Sequence, residues 1–311
     1  MPARSALIIN GSSLLPEKEE SAPILADDVD AVFRSVDELA FTIGTGGVRL
    51  YETVSERDLA DFGLVQVVEY PSPTAALLTA MADYLQTRKV PAINVSGIGA
   101  PTKLFQYVRL AQAGLSIPMT VYRSPKLLAS SYADLAEKLG LPFVLKSMSA
   151  SGGRSNYLIS HEDDLIKHLQ GHARANRFLA QEFIPNDTTI RFLVFGGQAS
   201  IAMQLTGTES LYPTNTAQSG RTVLLAPDEF DPVAMKLAVR AASLTGFEVA
   251  GIKLIQNWTT GRWYVLNVDS SPALGTGAFV SQKLHAYSSY LKRILAAPSN
   301  ADVIPIARPV Q

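Results

Sequence analysis

Two neighbouring segments near the C-terminal end carry polar side chains that could bind a metal ion. The apolar segment 249–255 contains Lys253, and the segment 261–272 contains Asn267 and Asp269. Both segments have the composition of β-strands, and side chains two apart on a strand point the same way. Asn267 and Asp269 therefore face one side together, and their oxygens suit magnesium. The spacing predicts a strand edge with two oxygen-bearing side chains on one face, and Lys253 lies either beside them or points outward.

A second candidate is a lysine at the end of an apolar strand. Lys146 closes the predicted strand 142–147 and precedes a loop of small residues that includes Ser151, Gly152 and Gly153. Backbone N–H groups in such a loop can approach phosphate oxygens. The Gly-Lys-Ser/Thr sequence of P-loop proteins is absent. The residues alone leave two interpretations open, a phosphate site or a surface lysine before an ordinary hairpin turn.

The segment Gln181-Glu182-Phe183-Ile184 ends another predicted strand and precedes Pro185. An adenine ring could lie on its apolar side chains while main-chain N–H and C=O groups bind the ring nitrogens. The alternative is a strand whose apolar face belongs to the core. A motif of four residues does not separate these interpretations.

Composition narrows the function classes. The chain has 311 residues, 47% of them hydrophobic and 18% charged, which indicates a soluble globular enzyme with two or three subdomains. A net charge of −1 gives no bulk attraction for nucleic acid or an anionic membrane. The absence of cysteine excludes disulfides, thiolate metal sites and a cysteine nucleophile. We expect no membrane segment or signal peptide, and a cytoplasmic location.

The histidines do not form a strong metal motif. His168 and His172 are four residues apart on a predicted helix, with His161 nearby. Two imidazoles at this spacing can begin a zinc site, but the glutamate general base of the metalloprotease motif is absent. The spacing favours a solvated helix surface.

Strands and helices alternate in the first part of the chain, which predicts a parallel α/β unit. The hydrophobic pattern gives strands at 6–10, 48–53, 64–70 and 92–95, and helices at 27–40, 74–86 and 102–113. The later part contains helices at 128–140, 163–171, 232–245 and 286–295, a hairpin across Gly196-Gly197, and the two strands that carry Lys253, Asn267 and Asp269.

The order of these features resembles the ATP-grasp superfamily from about residue 6 to about residue 295. The branch that it resembles most contains ribosomal-protein glutamate ligases and amino-acid ligases acting on carrier proteins. The most specific stretches are 142–153, 181–191 and 251–272. The resemblance implies an α/β (α+β ATP-grasp) fold. A parallel α/β pre-ATP-grasp domain (1–116) would precede two α+β subdomains (117–185 and 186–297) that clamp the nucleotide, and a tail (298–311) would follow.

Residue roles follow from the resemblance. It implies that Lys103 and Lys146 contact the ATP phosphates, that Glu182 and Ile184 meet the adenine, and that Asp187 lies near the ribose.

The resemblance also gives roles to three further residues. Arg191 would steady the transferred phosphoryl group or the acyl-phosphate, Asn215 would bind phosphate or metal near the acceptor, and Arg221 would bind a substrate carboxylate. Taken without the resemblance, the residue types favour another interpretation, in which Arg191 and Asn215 are ordinary surface or turn residues.

The resemblance implies that the strand edge with Asn267 and Asp269 binds magnesium, and the sequence departs from the family at this metal edge. Members usually carry aspartate where Lys253 stands, glutamate at Asn267 and asparagine at Asp269. The remaining donors, Asn267 and Asp269, predict one magnesium ion rather than two. If Lys253 projects into the site, its ammonium repels a divalent ion and attracts phosphate. Ser155 also stands where a second loop glycine is common.

The predicted function is an ATP-dependent carboxylate–amine ligase that forms an amide or peptide bond through an acyl-phosphate. The alternative is a catalytically weak or inactive nucleotide-binding protein that acts as a sensor or partner subunit. A phosphotransferase that stops at the phosphorylated product is a third option. The expected cofactors are ATP and Mg²⁺. The expected partners are small-molecule or peptide substrates or a carrier protein, with self-association into an oligomer left open.

Overall fold

The computed structural model describes residues 5–10, 29–68, 75–95, 102–148, 156–170, 177–206 and 221–297. A parallel sheet forms the N-terminal part, and two antiparallel sheets follow it along the chain. This mixed architecture confirms the predicted α/β fold class. None of the helices in the described ranges is long and apolar enough to cross a membrane.

The N-terminal sheet has the strand order β2-β1-β5-β6, and all of its pairings are parallel. Helix α1 packs on one face, where Leu78, Met81 and Leu85 contact apolar strand residues such as Leu7 and Val65. The elements are β1 (Ala6–Asn10), β2 (Ala31–Ser35), β5 (Leu64–Val67), α1 (Ala75–Thr87) and β6 (Ala92–Ile93).

The helix predicted over residues 27–40 is wrong in the described part. Residues from Val29 onward contain β2, a 3-10 turn at Val36–Glu38 and the start of a hairpin, β3 (Leu39–Gly44) with β4 (Gly47–Glu52). Parallel pairing of β2 with β1 outweighs the helical spacing, which five apolar residues satisfy by chance. The Ser35 side chain then accepts the Asp37 N–H, which starts the 3-10 turn.

The central sheet has the order β7-β10-β8-β9 and is antiparallel throughout. Helices cover one of its faces, where Phe143, Leu145, Phe178 and Ala180 are buried. The helix predicted at 128–140 is two helices, α3 (Pro125–Ala129) and α4 (Tyr132–Leu139). The elements are α2 (Lys103–Gln112), β7 (Thr120–Tyr122), α3 (Pro125–Ala129), α4 (Tyr132–Leu139), β8 (Phe143–Ser147), β9 (Asn156–Ile159), α5 (Glu162–Gln170) and β10 (Phe178–Glu182).

The third sheet has five antiparallel strands in the order β13-β12-β11-β14-β15. Helix α6 lies on one face, which we call the α6 face, and its buried alanines allow close approach to the strands. The elements are β11 (Thr188–Phe195), β12 (Gln198–Thr206), β13 (Arg221–Leu225), α6 (Pro232–Thr245), β14 (Val249–Gln256) and β15 (Trp263–Asp269).

The last helix, α7 (Val280–Ala296), joins the third sheet to the N-terminal sheet. Tyr287 is fully buried between them, and its hydroxyl donates to Gln66 Oε1 at 2.7 Å. Residues of both sheets share one apolar cluster with α7. The helix begins before the predicted start at residue 286. The predicted domain boundaries stay predictions, and the predicted tail lies outside the described residues.

Candidate active site

Three strands of the third sheet bring polar side chains into one row, on the face opposite the α6 face. Lys253 on β14 pairs with Arg191 on β11 and with Asn267 on β15. Residues paired directly across antiparallel strands have neighbouring side chains. Lys253 therefore lies between Arg191 and Asn267, and the option that it points away from the site is wrong.

Arg191 and Asp269 form an ion pair over the strand that separates them. The Arg191 Nη2 atom donates to Asp269 Oδ2 at 2.8 Å. Gly251 is the residue of β14 that pairs with Asp269. A Cβ atom there would lie 3.0 Å from Arg191 Nη2 and 3.1 Å from Pro272 Cβ. The glycine thus leaves room for the guanidinium. The two charged side chains are 38% and 34% exposed, so a ligand can reach them.

Two lysines approach this row from the central sheet and from α2. Lys146, on the face of β8 turned away from the helices, is 5% exposed, and its Nζ lies 3.4 Å from the Tyr107 hydroxyl. Lys103 begins α2 and donates from Nζ to the Ser147 carbonyl at 2.9 Å. Both lysines thus lie near Ser147 and Tyr107, and their predicted contact with the ATP phosphates stays a prediction.

The positive charges act on one another electrostatically. Burial lowers the pKa of Lys146 well below its usual value, and the charges of Lys253 and Lys103 lower it further. Burial, followed by the charge of Arg191, lowers the pKa of Lys253 to about 8. Burial also lowers the pKa of Lys103, while the charge of Asp269 opposes that shift. Such a set of basic groups favours a polyanionic ligand, which offsets their mutual repulsion.

An apolar surface lies beside the basic row. Ile184, Ile255 and Leu266 are buried against one another, with Tyr264 packed on them. Pairing along β14 and β15 shifts between Lys253 and Leu254, so Leu266 is an extra residue in its strand. The Tyr107 hydroxyl donates to the Leu266 carbonyl at 2.7 Å and so fixes this bulge to α2.

The predicted adenine segment adjoins this surface. Gln181 is buried, and its Nε2 donates to Thr120 Oγ1 at 2.8 Å, while its Oε1 has no hydrogen-bond partner among the described residues. Glu182 is half-buried and exchanges hydrogen bonds with the backbone of Met119. Phe183 is half-buried. An unsatisfied buried acceptor beside an apolar surface suits an amino group on a flat heterocycle.

Several predicted site residues lie elsewhere. Asp187 is exposed and lines a cleft of about 330 Å³ on the α6 face, opposite Arg191. Arg221 is exposed at the start of the edge strand β13, and its register through Thr206 places it on the α6 face as well. The structure thus does not bring Asp187 or Arg221 to the basic row. Ser151, Gly152, Gly153 and Asn215 lie outside the described residues.

One family model matches the part of the chain that carries these residues. Residues 102–283 match the family described as the RimK-like ATP-grasp domain. This chain belongs to the RimK-like ATP-grasp family. The matched range begins just before Lys103 and ends at Lys283, so it contains the basic row, the apolar surface and the adenine segment.

Curated proteins that are similar in sequence to this RimK-like chain are named as ligases. It is 27% identical over 223 residues to the probable alpha-L-glutamate ligase of Mannheimia succiniciproducens, covering 70% of this chain and 71% of the relative. It is 32% identical over 180 residues to the probable alpha-L-glutamate ligase 2 of Hahella chejuensis, covering 55% of each. The ligase prediction, an ATP-dependent carboxylate–amine ligase, is thereby confirmed.

A solved structure shares the fold of this RimK-like chain. The ATP-grasp ligase PsnB, complexed with minimal precursor, Mg and ADP, superposes with a TM-score of 0.66 at 16% identity. The superposition covers 93% of this chain and 97% of PsnB. At that identity the comparison shows the fold alone.

The two-ion magnesium set of the ATP-grasp family does not fit these residues. Of the three strand positions, one carries a carboxylate, and Arg191 already binds it. Among the described residues, no group of three or more His, Cys, Asp or Glu side chains is placed to hold a metal. Asp269 and the Asn267 amide oxygen suit one magnesium ion at most, since magnesium prefers anionic oxygens.

Sequence reasoning missed three residues of this RimK-like site. Tyr107 follows Lys103 by four residues on α2, a spacing that places both on one helix side and could have indicated it. Leu266 was hidden by the bulge, which breaks the period of two. Lys283 donates to the carbonyls of Ala273 at 2.8 Å and Thr276 at 2.5 Å. Burial, with the charge of Arg191, lowers the pKa of Lys283 to about 8.

Proposed function

We propose that this chain joins a carboxylate to the amino group of L-glutamate, through an acyl-phosphate made from ATP. The observation that supports it is the row Arg191–Lys253–Asn267 facing Lys103 and Lys146 beside an apolar surface. Glutamate is proposed because the curated relatives are named for it. The carboxylate partner is proposed to be a peptide, since a solved structure shows PsnB complexed with a precursor peptide.

The apolar surface and the adenine segment would bind the base. Ile184, Ile255 and Leu266 would support the ring, and Gln181 Oε1 would accept a hydrogen bond from its amino group. Glu182 and Phe183 would contribute main-chain contacts at the same edge. In this assignment the adenine amino group donates the hydrogen bond that Gln181 Oε1 lacks among the described residues.

The basic side chains would stabilise phosphoryl transfer by charge. A carboxylate oxygen attacks the γ-phosphorus, ADP leaves, and the amine then displaces phosphate from the acyl carbon. Lys103 and Lys146 would bind the phosphates, and Arg191 would neutralise the transferred group, held in place by Asp269. Positioned cations contribute most of such catalysis, because the reaction needs little covalent help. A magnesium ion on Asp269 and Asn267 would add charge neutralisation in the transition state of phosphoryl transfer rather than in the binding of ATP.

The test is release of inorganic phosphate from ATP with L-glutamate and a peptide carrying free carboxylates. We expect release that needs both substrates, and a mass increase of the peptide by one glutamyl residue. Asp269→Ala should lower the rate at least about tenfold, because Arg191 loses its anchor. D-glutamate serves as the matched substrate control. Phosphate release that ignores the added amine would contradict the proposal.

The carboxylate-poor strand edge favours one second candidate, a nucleotide-binding sensor or partner subunit with weak catalysis. If this second candidate is correct, calorimetry should detect ATP binding, and no amine should cause phosphate release. A phosphorylated product that accumulates in the presence of amine would instead indicate a phosphotransferase. The acceptor role of Asn215 stays a prediction for the same assay, whereas the position of Arg221 on the α6 face argues against its predicted contact with a substrate carboxylate.

A further inference from the structure

The feature that departs furthest from the family is the ammonium group in the middle of the metal edge. We infer that Lys253 is a fixed cation that replaces one magnesium ion, so that protein side chains, rather than two metal ions, neutralise the nucleotide phosphates. The inference deepens the proposed function and rests on it in one respect, that the ligand is ATP.

The register places the Lys253 side chain where a metal would need anionic ligands. Arg191 is its cross-strand neighbour on one side and Asn267 on the other. Its neighbours therefore offer a guanidinium and a neutral amide. A divalent cation among these groups would be repelled at short range by the Lys253 ammonium and the Arg191 guanidinium. A phosphate oxygen would be attracted by both.

The single carboxylate of the edge is already used by the protein. Asp269 Oδ2 accepts from Arg191 at 2.8 Å, and Oδ1 accepts the Ser271 N–H at 3.1 Å. These bonds orient the carboxylate along the sheet edge. They also neutralise part of its charge, which weakens it as a ligand for a metal ion. The donor set that remains suits one ion and leaves no anionic ligand for a second.

Lysine has the properties that the replacement requires. Its ammonium is a compact charge with three donors on a flexible stem, so it can bind a phosphate oxygen without fixed geometry. The charges of Lys253 and Lys103 both act on Lys146, so each of these ammonium groups lies near that of Lys146. Together with Arg191, these side chains form a group of four basic residues, and the carboxylate of Asp269 offsets one of their charges. The surplus of positive charge matches a polyanion.

A structural role for Lys253 is the competing explanation. In that case its stem would pack against the sheet and its charge would be incidental. The two explanations differ in one measurable quantity, the dependence of ATP affinity on magnesium. A fixed cation makes the affinity largely independent of added metal, whereas a packing role leaves the family's dependence in place.

The experiment measures ATP affinity by titration calorimetry, with magnesium and with a chelator. We expect the wild-type affinity to change less than about threefold when magnesium is removed. Lys253→Met should lose at least about tenfold in the chelator, the loss of a charge-assisted contact. The triple variant Lys253→Asp, Asn267→Glu, Asp269→Asn restores the family residues and should bind ATP at least about tenfold more tightly with magnesium than without.

The exposed Lys236→Met on α6 is the matched control and should behave as wild type. Lys253→Met keeps the inference testable if the triple variant fails to fold, which circular dichroism would reveal. A wild-type affinity that rises tenfold or more with magnesium, together with an unchanged Lys253→Met, would overturn the inference and leave the proposed function intact. Absence of ATP binding under both conditions would overturn both.

Discussion

The Arg191 guanidinium binds the Asp269 carboxylate at 2.8 Å by passing over Gly251, a residue of the strand between them. This contact joins two residues that are 78 positions apart in the sequence. It sets the direction of the guanidinium and uses the carboxylate of the strand edge. The two roles that a ligase site needs at this point, a positioned cation and a metal ligand, therefore compete for Asp269.

Gly251→Ala tests the passage over the middle strand. The new methyl group would lie 3.0 Å from Arg191 Nη2 and 3.1 Å from Pro272 Cβ, so it should displace the guanidinium from Asp269. We expect a fall in kcat of about ten- to a hundredfold with a stability loss of about 1–3 kcal/mol. Phosphate release and chemical unfolding measure the two effects. Gly46→Ala, where the added methyl contacts nothing, is the control. Equal activities would contradict the positioning role of Arg191.

Lys146→Met should separate binding from stability. An ammonium buried among other positive charges destabilises the folded protein, and a methionine of similar shape removes that cost. We expect the free energy of unfolding to increase by about 1–3 kcal/mol while ATP affinity falls at least about tenfold. The exposed Lys126→Met should change neither quantity. A variant that is less stable than wild type would indicate that Lys146 serves the fold.

Leu266→Ala tests the proposed adenine surface. Leu266 is 8% exposed next to Ile184 and Ile255, so truncation should cost stability and weaken ATP binding about tenfold. Leu254→Ala is the matched variant, because Leu254 is buried on the α6 face. Both should lose about 2–4 kcal/mol of stability, but only Leu266→Ala should lose affinity. Equal affinities by calorimetry would place the base elsewhere.

Asn94 connects the N-terminal sheet to the site. Its Nδ2 donates to the carbonyls of Val249 at 2.7 Å and Ser270 at 2.9 Å, and its Oδ1 accepts the Val249 N–H at 3.1 Å. Asn94→Asp keeps the acceptor and removes the donor. We expect a stability loss of about 2–3 kcal/mol from the unpaired carbonyls, and a lower kcat because Ser270 follows Asp269. Retained kcat in the folded variant would limit Asn94 to a structural role.

Alkaline pH should stabilise the protein. Lys253 and Lys283 have pKa values of about 8 when folded, below the usual 10.5, so the unfolded chain binds more protons between these values. The free energy of unfolding should therefore rise with pH from about 8 to about 10. Below about pH 8 both ammonium groups are charged in the folded protein, and the full cost of burying them lowers the free energy of unfolding. Urea unfolding at several pH values measures the slope. Lys253→Met should show a smaller slope, and an equal slope would contradict the lowered pKa of Lys253.

Local signals predicted most elements correctly. Helix α6 is bounded as expected, because Asp231 accepts the first N–H groups and Gly246 takes the left-handed conformation that ends it. The period of two placed Asn267 and Asp269 on one side of β15. The error at residues 27–40 came from a segment whose state depends on a partner strand, β1, some twenty residues earlier. Local spacing carries no information about that pairing.

The sequence by itself determined which residues are basic, amide or acidic at the strand edge. It also determined the order of Lys103, Lys146, Arg191 and Lys253, and hence the family. Only the tertiary structure decided that Lys253 lies between Arg191 and Asn267, that Arg191 binds Asp269, and that Asp187 and Arg221 lie on the α6 face. The physical reason is the register of the strands. Strand pairing and one bulge fix which distant side chains meet, and both depend on contacts between residues that are far apart in the sequence.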